Sequence, residues 1–224
     1  MVNMNPSVMV RYLGRREYLP VMEAMRLWTK QRTALTLDEI WTLEHYPVYT
    51  RGVSCREKPR SMQREISLID SDRGGKITYH GPGQFIFYLL LDLRRLGLGV
   101  RDLIHLMERS VVEFLHEHKI ASMIKAGAPG VYIAESKVAS IGIRIVKGCS
   151  YHGLSVNVDM DLTPFNFINP CGYADLSVTQ FKDIGIPIGT EEVWPQLIEH
   201  LTRQLCYQNV ILGEETIPLL EVHV

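Results

Sequence analysis

The sequence lacks long apolar runs, an excess of basic charge and cysteine pairs at metal-binding spacing. Its longest apolar run, residues 85–91, has the length of a strand, whereas a membrane-spanning helix needs about 18 apolar residues. The 24 Lys and Arg residues are balanced by 25 Asp and Glu, so the basic surplus of a duplex-binding protein is missing. We therefore expect a protein that binds neither membranes nor nucleic acids.

Cysteine is also scarce, with 4 residues in 224 and no C-x-x-C pair. This pattern argues against a zinc ribbon, a thioredoxin-like motif and a secreted disulfide framework. We expect a reduced, cytoplasmic protein with no metal site.

The residues that are present have the composition of a globular protein, with 46% hydrophobic and 22% charged residues. A chain of this length buries roughly 70–75% of its unfolded surface and needs no disulfide to fold. No stretch rich in Pro, Gly or Ser divides the sequence. We expect a single domain over residues 1–224.

The hydrophobic pattern predicts that strands arrive in runs, with helices between the runs. Helices are predicted over residues 17–33, 101–118 and 190–207, and strands over 8–13, 38–44, 66–71, 75–79, 84–93, 131–134, 138–146 and 150–158. Hairpin turns are predicted at Glu135-Ser136 and Lys147-Gly148. Such an order indicates an α+β fold with a mixed, largely antiparallel sheet flanked by helices.

The most unusual stretch is R-G-G-K-I-T-Y-H-G-P-G-Q at residues 73–84, which holds four glycines and a proline. Glycines let a backbone approach a ligand closely and expose N–H donors to it. The string matches neither a P-loop nor a dinucleotide-binding fingerprint. Two interpretations stay open: a loop that cradles a ligand, or two tight turns around a short strand.

Two residues in other stretches are candidates for chemistry. Lys137 stands alone in or beside an apolar strand, where it either reaches for water at a hairpin end or, if buried, serves as a base. Cys171 lies between Pro170 and Gly172 in an irregular segment. Structural cysteines sit more often within helices or strands, so Cys171 is the best nucleophile candidate of the four.

The stretches at residues 73–84, 127–144, 151–157 and 168–172 together closely resemble the lipoyl(octanoyl) transferases. The resemblance runs from L-E-H-Y-P-V-Y-T at residues 43–50 to Phe181. It implies a fold similar to the catalytic domain of biotin protein ligases and lipoate ligases. It also implies the first step of endogenous lipoate biosynthesis: transfer of an octanoyl or lipoyl group from acyl carrier protein to a lysine of a lipoyl domain. The acceptors in this family include 2-oxoacid dehydrogenase complexes and the glycine cleavage H protein.

Carried over residue by residue, the resemblance makes Cys171 the acyl-thioester nucleophile and Lys137 its activating partner. It assigns the substrate pocket to three places in the sequence, namely Arg73, Gly74, Gly75, Lys76, Ile77, Thr78, Tyr79 and His80; Ser140, Ile141 and Gly142; and Gly153, Leu154 and Ser155. A thioester donor is already activated, so no cofactor and no ATP are expected.

Several roles stay open at this point. Arg73 either faces the phosphopantetheine arm or the acidic surface of the carrier, or braces the glycine turn. His80 either helps the N–H groups around Cys171 and Gly172 to stabilise an oxyanion, or fixes the loop. Glycines at 142 and 153 are expected to leave room for the acyl chain. Glu44 and His45 are interpreted as a simple loop pair, and His152 as either structural or functional.

Two rival functions need different chemistry. An ATP-dependent lipoate or biotin protein ligase on the same fold would activate a free acid and need no catalytic cysteine. A non-catalytic module that binds acyl carrier protein would need no reactive thiol.

Overall fold

The computed structural model describes residues 6–55, 65–168, 177–186 and 190–218. Its strands are β1 (Ser7–Arg16), β2 (Asp38–His45), β3 (Val48–Arg51), β4 (Ser67–Asp70), β5 (Ile77–His80), β6 (Gln84–Leu90), β7 (Met123–Ile124), β8 (Gly130–Ile133), β9 (Ser136–Val146), β10 (Cys149–Asn157) and β11 (Asn209–Leu212). Its α-helices are α1 (Tyr18–Gln31), α2 (Leu93–Leu96), α3 (Val100–Glu117) and α4 (Thr190–Gln204), and short 3-10 helices span Thr163–Phe167 and Lys182–Ile184.

The strands form an eight-stranded sheet in the order β11-β1-β2-β6-β10-β9-β8-β7 and a three-stranded sheet in the order β4-β3-β5. In the large sheet, β1 pairs in parallel with β2 and β11, and every other neighbouring pair is antiparallel. The predicted α+β class with a mixed, largely antiparallel sheet is therefore confirmed.

The large sheet has helices on both faces, and β6 shows why its sequence is apolar throughout. Phe85, Phe87 and Leu89 pack with the apolar faces of α3 and α4. The alternate residues Ile86, Tyr88 and Leu90 pack with α1. Because side chains alternate across a strand, a strand covered on both faces has no solvent side and needs no polar alternation.

The predicted long helices correspond to α1, α3 and α4, with ends that differ by up to three residues. The strand predicted over 84–93 is too long: β6 ends at Leu90, and α2 begins at Leu93 because the Asp92 side chain accepts hydrogen bonds from the backbone N–H groups of Arg94 and Arg95. The turn at Lys147-Gly148 is confirmed. The turn predicted at Glu135-Ser136 lies one residue earlier, since Ser136 already opens β9.

Within the described ranges, no helix combines the length and the apolar character that crossing a membrane requires.

Candidate active site

A pocket lies between the large sheet and the glycine-rich loop, which consists of the turns within residues 73–84. It holds about 600 Å³ of empty space, part of which is open to solvent. Its lining residues are Tyr18, Arg73, Gly75, Lys76, Ile77, Thr78, His80, Ile86, Tyr88, Lys137, Ser140, Ile141, Gly142, His152, Gly153, Leu154 and Ser155. The structure thus brings together Lys137 and most of the residues that the resemblance assigned to the substrate pocket.

The glycine-rich loop is attached directly to the sheet. The backbone N–H of Gly74 donates to the carbonyl of Ile143 on β9 over 2.9 Å. A Cβ on Gly142 would lie 3.0 Å from the Gly74 carbonyl oxygen and 3.3 Å from Cδ of Arg73. Gly142 therefore makes room for the loop itself. At Gly75 the loop turns with a φ of +86°, a conformation that favours glycine.

A second segment supports the loop from its outer side. The backbone N–H groups of residues 52, 53 and 54 donate to the carbonyls of Lys76, Arg73 and Gly75, at 3.0 to 3.1 Å. A side chain at Gly52 would collide with the Gly75 carbonyl. Both interpretations of residues 73–84 therefore apply. The stretch forms tight turns, and these turns hold it at the wall of the pocket.

Arg73 is 8% exposed, and its guanidinium binds the protein backbone. One terminal nitrogen donates to the carbonyl oxygen of Thr50 at 2.7 Å and to its hydroxyl at 2.8 Å. The other terminal nitrogen donates to the Gly74 carbonyl at 2.9 Å. These bonds match the bracing role that the sequence left open for Arg73, and they direct the guanidinium into the turn.

Gly153 does not leave room for an acyl chain, because protein atoms fill the space that its side chain would take. A Cβ there would collide with the Phe87 carbonyl and would lie 2.8 Å from Cδ1 of Leu89. The expectation for Gly153 is wrong, and the same holds for Gly142. The close pairing of β10 with β6 and of the loop with β9 requires these two glycines.

Lys137 is buried, with 2% of its surface exposed, although it lies near a hairpin end. Its Nζ donates to the carbonyl oxygen of Pro129 over 3.0 Å and lies 5.0 Å from the centre of the Tyr132 ring. The hydrogen bond and the ring contact hold the side chain inside the protein. Gly130 permits this path, since a Cβ there would lie 3.2 Å from Cε of Lys137. The interpretation that Lys137 reaches for water at a strand end is therefore wrong.

Two hydrogen bonds connect the backbone of Lys137 to the segment that follows the predicted nucleophile. Its N–H donates to the Ser177 carbonyl, and its carbonyl accepts from the N–H of Thr179, both at 2.9 Å. Cys171 itself, with Pro170 and Gly172, lies outside the described residues. Its role as nucleophile, and the oxyanion contacts expected around it, stay predictions.

His80 is buried and belongs to a chain of side-chain hydrogen bonds. Its Nδ1 donates to Oε1 of Gln84 at 2.7 Å, and Nε2 of Gln84 donates to Oδ1 of Asn157 at 2.9 Å. Asn157 in turn donates to the Thr179 carbonyl at 3.0 Å. Burial holds the pKa of His80 well below its ordinary value. The ring is thus neutral and fixed, and it ties the loop to the segment beside Lys137.

Glu44 and His45 do not form a loop pair; both end β2 next to the pocket. The Nδ1 of His45 donates to the Arg16 carbonyl at 2.9 Å, so its Nε2 accepts the hydroxyl proton of Tyr88 at 2.7 Å. Burial lowers the pKa of His45 to about 4. The carboxylate of Glu44 accepts from the N–H of Gly83 at 3.2 Å and so holds the second glycine turn.

His152 lines the pocket with 1% of its surface exposed and a backbone φ of +58°. Its Nε2 donates to Oδ1 of Asp72 at 2.9 Å, and Tyr151 donates to the other carboxylate oxygen at 2.5 Å. Burial disfavours the charged carboxylate, but these hydrogen bonds outweigh burial and lower the pKa of Asp72 to about 2. The Nδ1 of His152 has no hydrogen-bond partner among the described residues.

Two residues assigned to the pocket lie outside its lining. The Tyr79 ring packs against Tyr49 and Phe165, each with ring centres 5.6 Å apart, in the core of the small sheet. Gly74 uses its N–H and carbonyl to hold the loop. Four further residues line the pocket although the motifs did not assign them to it, namely Tyr18, Ile86, Tyr88 and His152. The T-Y-H string gave no sign that Tyr79 points away, since this depends on the register of β5.

Among the described residues, no three His, Cys, Asp or Glu side chains come together as a metal site.

The chain matches the family model described as the lipoyl protein ligase A/B catalytic domain over residues 17–202. It is 52% identical over 202 residues to a protein of Dechloromonas aromatica named octanoyltransferase, covering 89% of this chain and 98% of that protein. The chain belongs to the octanoyltransferase family. The sequence prediction of that family is therefore confirmed.

Solved structures support the predicted fold. A lipoate protein ligase of T. acidophilum, described as putative, superimposes with a TM-score of 0.71 at 15% identity, covering 94% of this chain and 90% of that one. The biotin protein ligase of Aquifex aeolicus gives a TM-score of 0.58 at 16% identity, covering 88% of this chain and 69% of that one. At this identity the likeness concerns the fold alone.

Proposed function

We propose that this octanoyltransferase moves an octanoyl or lipoyl group from acyl carrier protein to a lysine of a lipoyl domain through a thioester on Cys171. The observation that carries the proposal is the buried ammonium group of Lys137 at a pocket with apolar walls. The backbone bonds between Lys137 and residues 177–179 support it further, because residue 177 lies six positions after Cys171.

The chemistry follows from the charge on Lys137. An ammonium at about 4 Å stabilises a thiolate by roughly 4 kcal/mol at an effective dielectric constant of about 20. The Cys171 thiolate attacks the carbonyl carbon of the incoming thioester and forms the new C–S bond. The C–S bond to the carrier then breaks, and the carrier leaves as a thiol after taking a proton, which Lys137 can donate.

In the second half-reaction the acceptor lysine attacks the acyl-enzyme as a neutral amine. The C–N bond forms, the amine loses a proton, and the C–S bond to Cys171 breaks to return the thiolate. Lys137, having given up its proton to the carrier, takes this proton and is restored. The balance needs neither ATP nor a redox partner.

The partners follow from the same proposal. The donor is octanoyl-acyl carrier protein, and the acceptors are lipoyl domains of 2-oxoacid dehydrogenase complexes and the glycine cleavage H protein. We place the reaction in the cytoplasm and assign it to one catalytic domain formed by the whole chain, with the residues lining the pocket binding the acyl group.

The test is intact mass after incubation with octanoyl carrier and no ATP. We expect one octanoyl group on the protein, removable by hydroxylamine, and no adduct on Cys171→Ala. Cys149→Ala is the matched control, since Cys149 is buried on β10 away from the lining and should not affect loading. An adduct that survives in Cys171→Ala and disappears in Cys149→Ala would reassign the nucleophile.

The rival functions give different results in the same experiment. A ligase would modify a lipoyl domain from free octanoate only when ATP is added. A carrier-binding module would form a complex with the carrier but would leave the mass of the protein unchanged.

A further inference from the structure

We infer that His152 closes the far end of the acyl pocket and so limits the length of the acyl chain that the protein accepts. The inference rests on the proposed function for the position of the thioester. It assigns a specificity role to a residue whose role the sequence left open.

The pocket has two ends along the sheet. On β9 its lining runs from Lys137 to Gly142, and on β10 it runs from Ser155 back to His152. The strands are antiparallel, with Ser155 opposite Ser140 and His152 opposite Ile143. Lys137 and Ser155 therefore lie at one end, and His152 is the last lining residue on β10 at the other.

The ammonium group of Lys137 marks the level at which the thioester is held. Its Nζ binds the carbonyl of Pro129, which precedes Gly130, and Gly130 pairs with Ser140. The chain from Ser155 to His152 covers three residue steps, or about 10 Å of strand. An extended eight-carbon acyl chain is roughly 9 Å long, from C–C bonds of about 1.5 Å. An octanoyl tail that starts beside Lys137 thus ends near His152.

The imidazole of His152 is fixed in this place from behind. Asp72 and Tyr151, which hold the ring, line a separate surface groove and not the acyl pocket. The ring also contacts Tyr88 edge to face, with centres 5.8 Å apart, and Tyr88 is held by its bond to His45. A longer chain would have to displace a ring that is anchored on two sides.

The backbone of His152 is in the left-handed conformation, which is strained for a residue other than glycine. A φ of +58° is unusual for a residue with a Cβ and costs roughly 1–2 kcal/mol relative to glycine. Strain of this kind persists where the surrounding structure needs that residue, and it clusters at ligand sites. Glycine would relieve the strain at this position, so its absence points to a use for the ring.

The experiment offers the protein an equimolar mixture of octanoyl, decanoyl and dodecanoyl carrier and measures by intact mass which acyl group loads. We expect wild type to load octanoyl. His152→Gly, which suits the positive φ, should raise the ratio of decanoyl to octanoyl loading by about tenfold or more, the factor expected when a pocket admits further methylenes. Lys147→Gly is the matched control, because its φ of +49° is relieved equally in an exposed turn.

His152→Asn is the second variant, since Asn tolerates positive φ and shortens the side chain less, and it should shift the ratio in the same direction by a smaller factor. Unchanged ratios in folded variants would overturn the inference, as would folded variants that load no acyl group at all. Variants that both fail to unfold cooperatively would make His152 a folding residue and also overturn it. Failure of wild type to load any chain would instead refute the proposed function.

Discussion

Lys137 donates a hydrogen bond from its ammonium group to the carbonyl oxygen of Pro129, on the chain that leads into the neighbouring strand. A buried charge needs such a partner, because removing it from water is costly. The carbonyl supplies the partner without neutralising the charge, as a carboxylate would. This hydrogen bond offsets part of the cost of burying the lysine.

Replacing Lys137 with Met removes this charge at nearly constant length. The Cys171 thiolate should become less stable, so the midpoint of its alkylation by iodoacetamide against pH should rise by about 1–3 pH units. Acyl transfer from pre-loaded enzyme to a lipoyl-domain lysine should fall as well, because the proton acceptor is lost.

Lys125→Met is the control for this prediction. Lys125 also lies over the Tyr132 ring, with its Nζ 4.5 Å from the ring centre, but it pairs with Glu135 at the surface. Its loss should leave the alkylation midpoint unchanged. A normal midpoint and normal transfer in Lys137→Met would show that the buried lysine is structural.

Gly130→Ala should damage the site through the path of the Lys137 side chain. Gly130 has a φ of +134°, and a Cβ there would collide with the Ala139 carbonyl and press on Lys137. We expect a loss of about 1–3 kcal/mol in the free energy of unfolding and a loss of transfer per folded molecule. Chemical denaturation and transfer assays measure the two effects.

Gly127→Ala separates strain from the effect on Lys137. Gly127 has a φ of +76° with nothing within 4 Å of its would-be Cβ. It should lose stability but keep its transfer rate per folded molecule. Equal transfer in both variants would contradict the prediction.

Gly75→Val should impair transfer more than folding. The backbone strain at φ +86° costs about 1–2 kcal/mol, and the new side chain would stand at the pocket lining beside Arg73. Gly97→Val bears comparable strain at φ +67° at the end of α2, with open space around it. Thermal unfolding should shift similarly in both, while octanoyl loading should fall about tenfold in Gly75→Val alone. Full activity or complete unfolding of Gly75→Val would count against its place in the pocket.

The free energy of unfolding should decrease as the pH is lowered, because the pKa of His45 is lower in the folded than in the unfolded protein. Its folded pKa of about 4 lies below the unfolded value of about 6.5, so the unfolded state binds the proton first as the pH falls. The stability it contributes is complete above pH 6.5 and is lost progressively towards pH 4. Urea denaturation at several pH values measures the slope.

His45→Gln should flatten this slope by up to about 1.4 kcal/mol per pH unit. His105→Gln, at an exposed position on α3, is the control for the substitution itself. The buried rings of His80 and His152, whose pKa values burial also lowers, would still contribute in both variants. An identical slope in wild type and His45→Gln would mean that His45 does not titrate in this range.

Local sequence was sufficient for the long elements, and for the glycine-rich stretch at residues 73–84 it indicated the turns but not what they contact. The apolar run at residues 85–91 predicted a strand, and the structure adds that the side chains of β6 face helices on both sides. The R-G-G string was interpreted as a close backbone approach to a ligand, whereas the backbone of Gly74 approaches Ile143 on β9. The apolar run and the glycines are local signals, but the segments that they contact lie far away in the sequence.

Long-range features escaped the sequence analysis. Strand β11 is four residues long and exists because it pairs with β1, about two hundred positions earlier. Tyr18 and Tyr88 reach the pocket from α1 and β6, and neither belongs to a motif. Glycines 142 and 153 were expected to leave room for the acyl chain, whereas the structure needs them because backbone atoms of other segments lie close to them. Pairing register across the sheet decides these points.

The pairing of β1 with β11 has a consequence for synthesis of the chain. Ser7 lies opposite Asn209 and Val10 opposite Leu212. This edge of β1 can therefore be paired only after residues 209–212 have been synthesised. While the chain is being made, β2 can pair with one edge of β1, but the other edge keeps its N–H and C=O groups open. A nascent or truncated chain that stops before residue 209 exposes this edge of β1, and a strand of a second copy can pair with it. Such a chain should therefore aggregate more readily than the chain that includes β11.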